Sequence, residues 1–257
     1  MHAGVHSIDA HRAPRLRAAR PLARSARDGC ARHALLISTS YRGSPEWYLP
    51  GCDREAGRMG DALRRYLGYD RTELTVLRDG EATRARVLLA LRALMRSSAE
   101  LQEAVVYFAG HGVQREGGRE PDGKDECILC HDLHRIVDDE LRAELGRCAR
   151  TCSLVVLLDC CTSGTMTDGT PLTAAAPRAP PRAAHRVVVS ACPDGEFAYQ
   201  DRRGRGYLTR TVTRELRRRG NVATRSLRGR SLGAPSPQES TVTVHGGAVR
   251  DTLFMRP

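Results

Sequence analysis

The sequence predicts an α/β fold, with a mostly parallel central sheet of about six strands and helices on both faces. Two observations carry this expectation. Short, continuous apolar runs recur along the chain, as they do in parallel strands buried on both faces. Between them lie segments of about a dozen residues whose apolar positions fall at helical spacing, the alternation that builds a layered sheet. No run of about 18 apolar residues occurs, so no membrane span is expected.

The elements follow in order. Residues 34–37 are the first strand, and a loop with Gly43, Pro45, Pro50 and Gly51 leads to a helix over 53–67. That helix places Ala56, Met59, Leu63 and Leu67 on one face. Residues 74–77 form a second strand, Asp79-Gly80 turns the chain, and Thr83 caps a helix over 84–95. Its buried stripe is Val87, Leu88, Leu91 and Leu94. The third strand, 104–108, runs into Gly110-His111-Gly112. The polar, Gly-rich stretch 113–124 reads as a loop, 127–129 as a short strand and 138–150 as a helix. The fourth strand, 154–158, ends at Asp159-Cys160-Cys161. Residues 165–186 are rich in Ala, Pro and Thr and read as a flexible linker. A fifth strand at 187–189, a basic helix over 206–219, a weak polar stretch at 225–237 and a strand at 240–244 complete the domain. The domain spans 31–257, behind an Arg/Ala-rich tail over 1–30 that reads as disordered.

Of the 257 residues 40% are hydrophobic, which excludes a wholly disordered chain. The net charge of +11 invites a nucleic-acid partner. Its distribution argues otherwise. Residues 1–30 carry +4 and residues 202–230 carry +10, leaving −3 for everything else. Lys124 is the one lysine, so the basic residues are a bias towards arginine, as GC-rich coding produces. The segment 202–230 interleaves Tyr207 alone for base stacking, so nucleic acid is an unfavoured partner beside a solvated helix face or an acidic protein. Nine cysteines are too few for a disulfide scaffold at this length, and residues 1–30 lack the apolar core of a secretory signal. Reduced thiols in the cytoplasm are expected, with organelle targeting through 1–30 as the weaker alternative.

Two strands end in reactive side chains: His111 between glycines, and Cys161 after Asp159. Sites in open α/β sheets form beyond the carboxyl ends of strands. If these strands are neighbours, a thiol and an imidazole meet there as nucleophile and base. Gly110 and Gly112 let the backbone turn around the histidine. Backbone N–H groups at Gly112 and Cys161 are placed to hold an oxyanion.

These motifs resemble a known family. Tyr107-Phe-Ala-Gly-His-Gly112 followed by Leu158-Asp-Cys-Cys-Thr-Ser-Gly164 is similar to the caspase-like sandwich of clan CD, peptidase family C14, and more narrowly to metacaspases. Leu49-Pro-Gly-Cys-Asp-Arg-Glu-Ala56, Asp122-Gly-Lys-Asp-Glu126, Ile136-Val-Asp-Asp-Glu-Leu141, Val189-Ser-Ala-Cys-Pro-Asp194 and Pro237-Gln238 resemble further family segments in the same order. The resemblance implies His111 as base and Cys161 as nucleophile, with Cys160 as rival. It implies Asp159 and Glu55 as acids of a pocket for substrate Arg or Lys, where a guanidinium fork can pair bidentately. It implies possible calcium activation through Asp125, Asp138, Asp139 and Asp168, whose oxygens suit a hard cation, while the chemistry itself requires no cofactor. It also suggests a monomer acting on protein or peptide substrates. Two departures stand out. Thr162 replaces a common His, and Glu55 replaces Asp, lengthening a pocket carboxylate by one methylene.

Arg178, Arg182 and Arg186 in the linker are expected points of self-cleavage, since exposed loops are preferred nicking sites. Cys127-Ile-Leu-Cys130-His131 matches a haem attachment motif and, with His134, Cys148 and Cys152, hints at zinc; small core residues are the plainer reading. The expected function is a cysteine endopeptidase cleaving after Arg or Lys. The alternative is an inactive caspase-like scaffold.

Overall fold

One sheet organises the chain, and its strands are the apolar runs of the sequence. The computed structural model describes residues 30–116, 124–161, 186–192, 198–227, 229–230, 239–245 and 251–255. Along the chain lie β1 (Arg32–Ser38), α1 (Glu55–Leu67), β2 (Leu74–Arg78), α2 (Arg84–Ser97), β3 (Glu103–Ala109), β4 (Gly112–Glu116) and β5 (Lys124–Leu129). Then come β6 (Arg135–Val137), α3 (Asp138–Leu145), β7 (Ser153–Asp159), β8 (Arg186–Ser190), α4 (Tyr207–Arg219), β9 (Gly229–Arg230) and β10 (Glu239–His245). The main sheet has seven strands in the order β2-β1-β3-β7-β8-β10-β9. β2, β1, β3, β7 and β8 are parallel, and β10 closes antiparallel on β8.

Period-two alternation divides the core between the two faces. Val105, Tyr107 and Ala109 of β3 pack with α1 and α4 residues such as Leu63, Val212 and Leu216. Ala104, Val106 and Phe108 face the other way, towards Leu91 of α2 and Leu141 of α3. β1, β3 and β7 are buried along their whole length, which explains why they appear in the sequence as unbroken apolar runs. Thr83 caps α2 as expected, its hydroxyl accepting from the Arg86 amide.

The structure corrects the sequence reading in four places. The stretch 113–124 is not simply a loop: β4, β5 and β6 form a separate three-stranded antiparallel sheet. β4 is half-buried to exposed and carries Gln114, Arg115 and Glu116, so it has no apolar run to announce it. α3 ends at Leu145, not near residue 150, because the chain tightens through Gly146 and Cys148 into β7. The main sheet gains short β9 from the polar stretch. Arg186, read as the end of the linker, opens β8, in register with Leu154 and His245. The tail 1–29 and residues 162–185 lie outside the described residues, and Thr162, Asp168, Arg178 and Arg182 lie there with them. Among the described residues no helix is long and apolar enough to cross a membrane.

Leu157 lies in β7, a central strand, and is fully buried. Leu157→Ala is expected to lower the unfolding free energy by about 2–5 kcal/mol, the transfer and cavity cost of such truncations. Urea unfolding measures it, and a loss below about 1 kcal/mol contradicts the central placement of β7.

Candidate active site

β3 and β7 lie side by side, and their last residues, Ala109 and Asp159, are in register. Each chain then runs two residues beyond the sheet, to His111 and to Cys161. Both side chains line one cleft, together with Glu55, Asp159, Cys52 and Gly206. The glycines flanking His111 serve to avoid crowding. A Cβ on Gly112 would fall 1.9 Å from the Cys161 carbonyl oxygen, and one on Gly110 would fall 2.7 Å from the Tyr41 hydroxyl.

His111 is held on three sides. Its Nε2 lies 2.9 Å from the Trp47 carbonyl. A carbonyl only accepts, so this contact assigns the proton to Nε2 and leaves the lone pair on Nδ1. The His111 amide donates to the Tyr41 hydroxyl at 2.8 Å, and that hydroxyl donates to the Leu129 carbonyl at 2.7 Å. The Tyr41 ring lies 4.9 Å from the imidazole, and the Trp47 ring meets its edge at 5.4 Å. Burial pulls the imidazole below its ordinary pKa, and the Trp47 carbonyl opposes that shift in part.

Cys161 is half-buried, and the Ala198 amide donates to its sulfur at 3.3 Å. Burial pushes the thiol up, the Ala198 amide offsets this in part, and the charge on Asp159 adds to it. Cys160 points the other way, into the core on the α2 and α3 side. Geometry therefore separates two adjacent cysteines that the sequence left as rivals.

The two acids are both buried. The Glu55 side chain is fully buried, so it is not the solvated first-turn acid that its position in α1 would suggest. Arg58 donates to its Oε1, and the Gly206 amide donates to Oε2 at 3.3 Å. Burial, then the Asp159 charge, push the Glu55 carboxyl up to about 7 against the pull of Arg58. Asp159 accepts from the Thr209 amide at 2.8 Å and from the Thr209 hydroxyl at 2.5 Å, both at Oδ2. Burial raises its pKa, and those bonds counter the rise. Gly206 closes over Asp159 so tightly that a Cβ there would sit 2.1 Å from Oδ2.

The acids expected to bind calcium are otherwise engaged. Asp125 pairs with Arg115, which stands opposite it across β4 and β5. Arg142 pairs with both Asp138 and Asp139 at 2.5 and 2.6 Å. Among the described residues no group of three or more His, Cys, Asp or Glu is arranged to hold a metal ion. Arginines hold these carboxylates, so the described residues do not fit a calcium site as they stand. The Cys127-to-His134 segment is core and turn: Cys127 and Cys130 are fully buried, with thiols raised by burial to about 11 and about 12. His131 Nδ1 lies 3.1 Å from the Thr39 hydroxyl.

Tyr41, the Trp47 carbonyl, the Ala198 amide, Thr209, Gly206 and Arg58 are absent from the sequence-based site. Three of these act through backbone atoms alone and Thr209 does so in part, and backbone atoms carry no side-chain signature. Arg58 follows Glu55 by three residues, a spacing that does signal an ion pair on a helix.

The family described as "Metacaspase, peptidase C14 domain" matches residues 32–170. Metacaspase-7 of Arabidopsis thaliana is 34% identical over 146 residues, 54% of this chain and 36% of that protein. Metacaspase-1B of Aspergillus oryzae is 28% identical over 244 residues, 86% of this chain and 58% of that protein. The chain thus spans roughly a third to three fifths of the length of these curated relatives. A protein of known structure from Geobacter sulfurreducens superposes with a TM-score of 0.64 at 22% identity, over 88% of this chain and 98% of its own. Caspase-1 of Spodoptera frugiperda superposes with a TM-score of 0.57 at 12% identity, over 83% of this chain and 88% of its own. These two likenesses bear on the fold, which is caspase-like; the match over more than half of the chain places it in the metacaspase, peptidase C14 family.

Proposed function

We propose that the protein is a cysteine endopeptidase that cleaves peptide bonds after Arg or Lys. The observation that carries the reading is the lining of one cleft by His111, Cys161, Glu55 and Asp159. A half-buried thiol and an imidazole in the same cleft supply nucleophile and base. Two buried carboxylates, with no Lys or Arg among the described lining residues, favour a cationic side chain.

The resting pair is neutral, because burial lowers His111 and raises Cys161. His111 Nδ1 takes the thiol proton as the substrate carbonyl arrives, and the sulfur attacks the carbonyl carbon. The amides of Gly112 and Cys161 receive the developing oxyanion. The imidazolium then protonates the leaving amine, giving an acyl-enzyme. His111 next takes a proton from water, which attacks the thioester, and the proton returns to sulfur as the acid product leaves. Self-cleavage falls at Arg178 or Arg182. Arg186 is the poorest of the three expected points, since its backbone is paired in β8. The enzyme works in the cytoplasm as a monomer, and a calcium activator would have to displace Arg115 and Arg142 from their aspartates.

Peptides ending in Arg, Lys or Asp, assayed with calcium and with chelator, test the reading. Turnover is expected after Arg or Lys alone and at least a thousandfold lower in Cys161→Ala, with Cys160→Ala active. Cleavage after Asp refutes the acidic pocket, and no turnover by folded protein in any condition supports the scaffold.

The pH profile tests the pocket separately. Glu55 has its carboxyl raised to about 7, so a free cleft loses that charge as pH falls through about 7. kcat/KM for an Arg substrate is expected to fall below that pH. The limb in kcat is expected lower, because a bound guanidinium favours the ionised acid. An unchanged kcat/KM limb in Glu55→Gln contradicts this assignment.

A further inference from the structure

We propose that Arg58 is a positioning residue that keeps Glu55 ionised, so that the two-acid cleft can take a cationic side chain. The proposal rests on the reading of this cleft as the pocket for Arg or Lys. It concerns a residue outside the cleft, and it follows from a count of charges.

Among the described residues the cleft lining holds two carboxylates and neither Lys nor Arg. A bound Arg or Lys brings one positive charge. Two ionised acids facing one cation would leave a buried negative charge unpaired, which is costly. Two buried acids in that situation share a proton, and one of them becomes a neutral carboxylic acid. Arg58 supplies the second positive charge. It contacts Glu55 Oε1, while Oε2 is left to the Gly206 amide at 3.3 Å. Substrate and Arg58 together then match Glu55 and Asp159 two against two.

The remaining groups around Glu55 offer no substitute. From the turn before α1 comes Cys52, whose thiol burial pushes up and keeps neutral. From the same turn come Asp53, another acid, and Arg54, whose guanidinium lies against Gly51 and not at the Glu55 carboxyl. From β3 comes Tyr107, a fully buried phenol raised by burial and joined to the Thr209 hydroxyl at 2.6 Å. From β7 and beyond come Asp159, which opposes ionisation of Glu55, and Cys161, a thiol raised by burial. Arg58 is the cation whose charge and hydrogen bond pull the Glu55 carboxyl down.

Arg58 is also absent from the cleft lining, and its side chain is 32% exposed. It reaches Glu55 Oε1 without lining the cleft where a substrate guanidinium would go. A competitor for the pocket would stand inside it.

The test compares wild type with Arg58→Gln, Arg58→Met and Arg58→Lys. Carbon-13 NMR of glutamate carboxyls reads the Glu55 titration directly, with its resonance identified by loss in Glu55→Gln. The midpoint is expected to rise by about one unit or more in the Gln and Met variants and to return towards wild type in Lys. In steady-state assays with an Arg peptide at pH 7, KM is expected to rise about tenfold in the neutral variants. The effect falls mainly on KM, is partly rescued in Arg58→Lys, and shrinks as pH rises above the new midpoint. Two neutral variants guard against one that fails to fold. A Glu55 midpoint that does not move, or a KM that falls, overturns the proposal; the second result would make Arg58 a competitor. The NMR arm needs no turnover, so failure of the wild type to cleave Arg peptides sinks the pocket reading while the titration still decides on Arg58.

Discussion

The register between β3 and β7 is the constraint on which the rest of the site depends. Ala109 and Asp159 stand opposite each other, so His111 and Cys161 leave the sheet at the same level. A slip of one residue would turn every side chain of one strand to the other face. Val105, Tyr107 and Ala109 would then leave the α1 and α4 core, and Tyr107 would lose Thr209. The same burial that makes these strands continuous apolar runs therefore locks the positions of thiol and imidazole. The thiol and the imidazole inherit their precision from packing beneath the cleft, which reaches it at its floor through Ala109 and Cys52.

Around this register the structure arranges charge economically. Thr209, at the start of α4, gives both its amide and its hydroxyl to Asp159. Arg58 and the Gly206 amide divide the two oxygens of Glu55 between them. Elsewhere in the body arginines bind neighbouring elements together: Arg84 reaches Glu140 and Arg92 reaches Glu144, tying α2 to α3. Much of the arginine in the body is thus spent on internal pairs, consistent with a net charge that resides in the tail and in 202–230. The loudest feature of the composition says little about the cleft.

The fold was legible because its main strands are buried on both faces and its helices keep apolar faces. That His111 and Cys161 reach one cleft was legible because each follows an apolar strand, His111 between two glycines. The small sheet β4-β5-β6 was not, since β4 is too solvated to carry an apolar pattern and β6 has three residues. The supports of His111 were hidden for a different reason. The Trp47 carbonyl and the Tyr41 hydroxyl reach it across 64 and 70 residues of sequence, through atoms whose direction only tertiary structure sets. Asp125, Asp138 and Asp139 show the converse. Their identity suggested a cation, while Arg115 and Arg142 showed which cations stand beside them.

The most direct test of the central claim is covalent trapping. A peptide ending in arginine and carrying a thiol-reactive ketone is mixed with the native protein, and the modified residue is located by mass spectrometry. The site described here predicts a single adduct on Cys161 out of nine cysteines, suppressed by a competing arginine peptide and not by an aspartate one. An adduct on Cys160 or another thiol, or labelling indifferent to the basic residue, would contradict it.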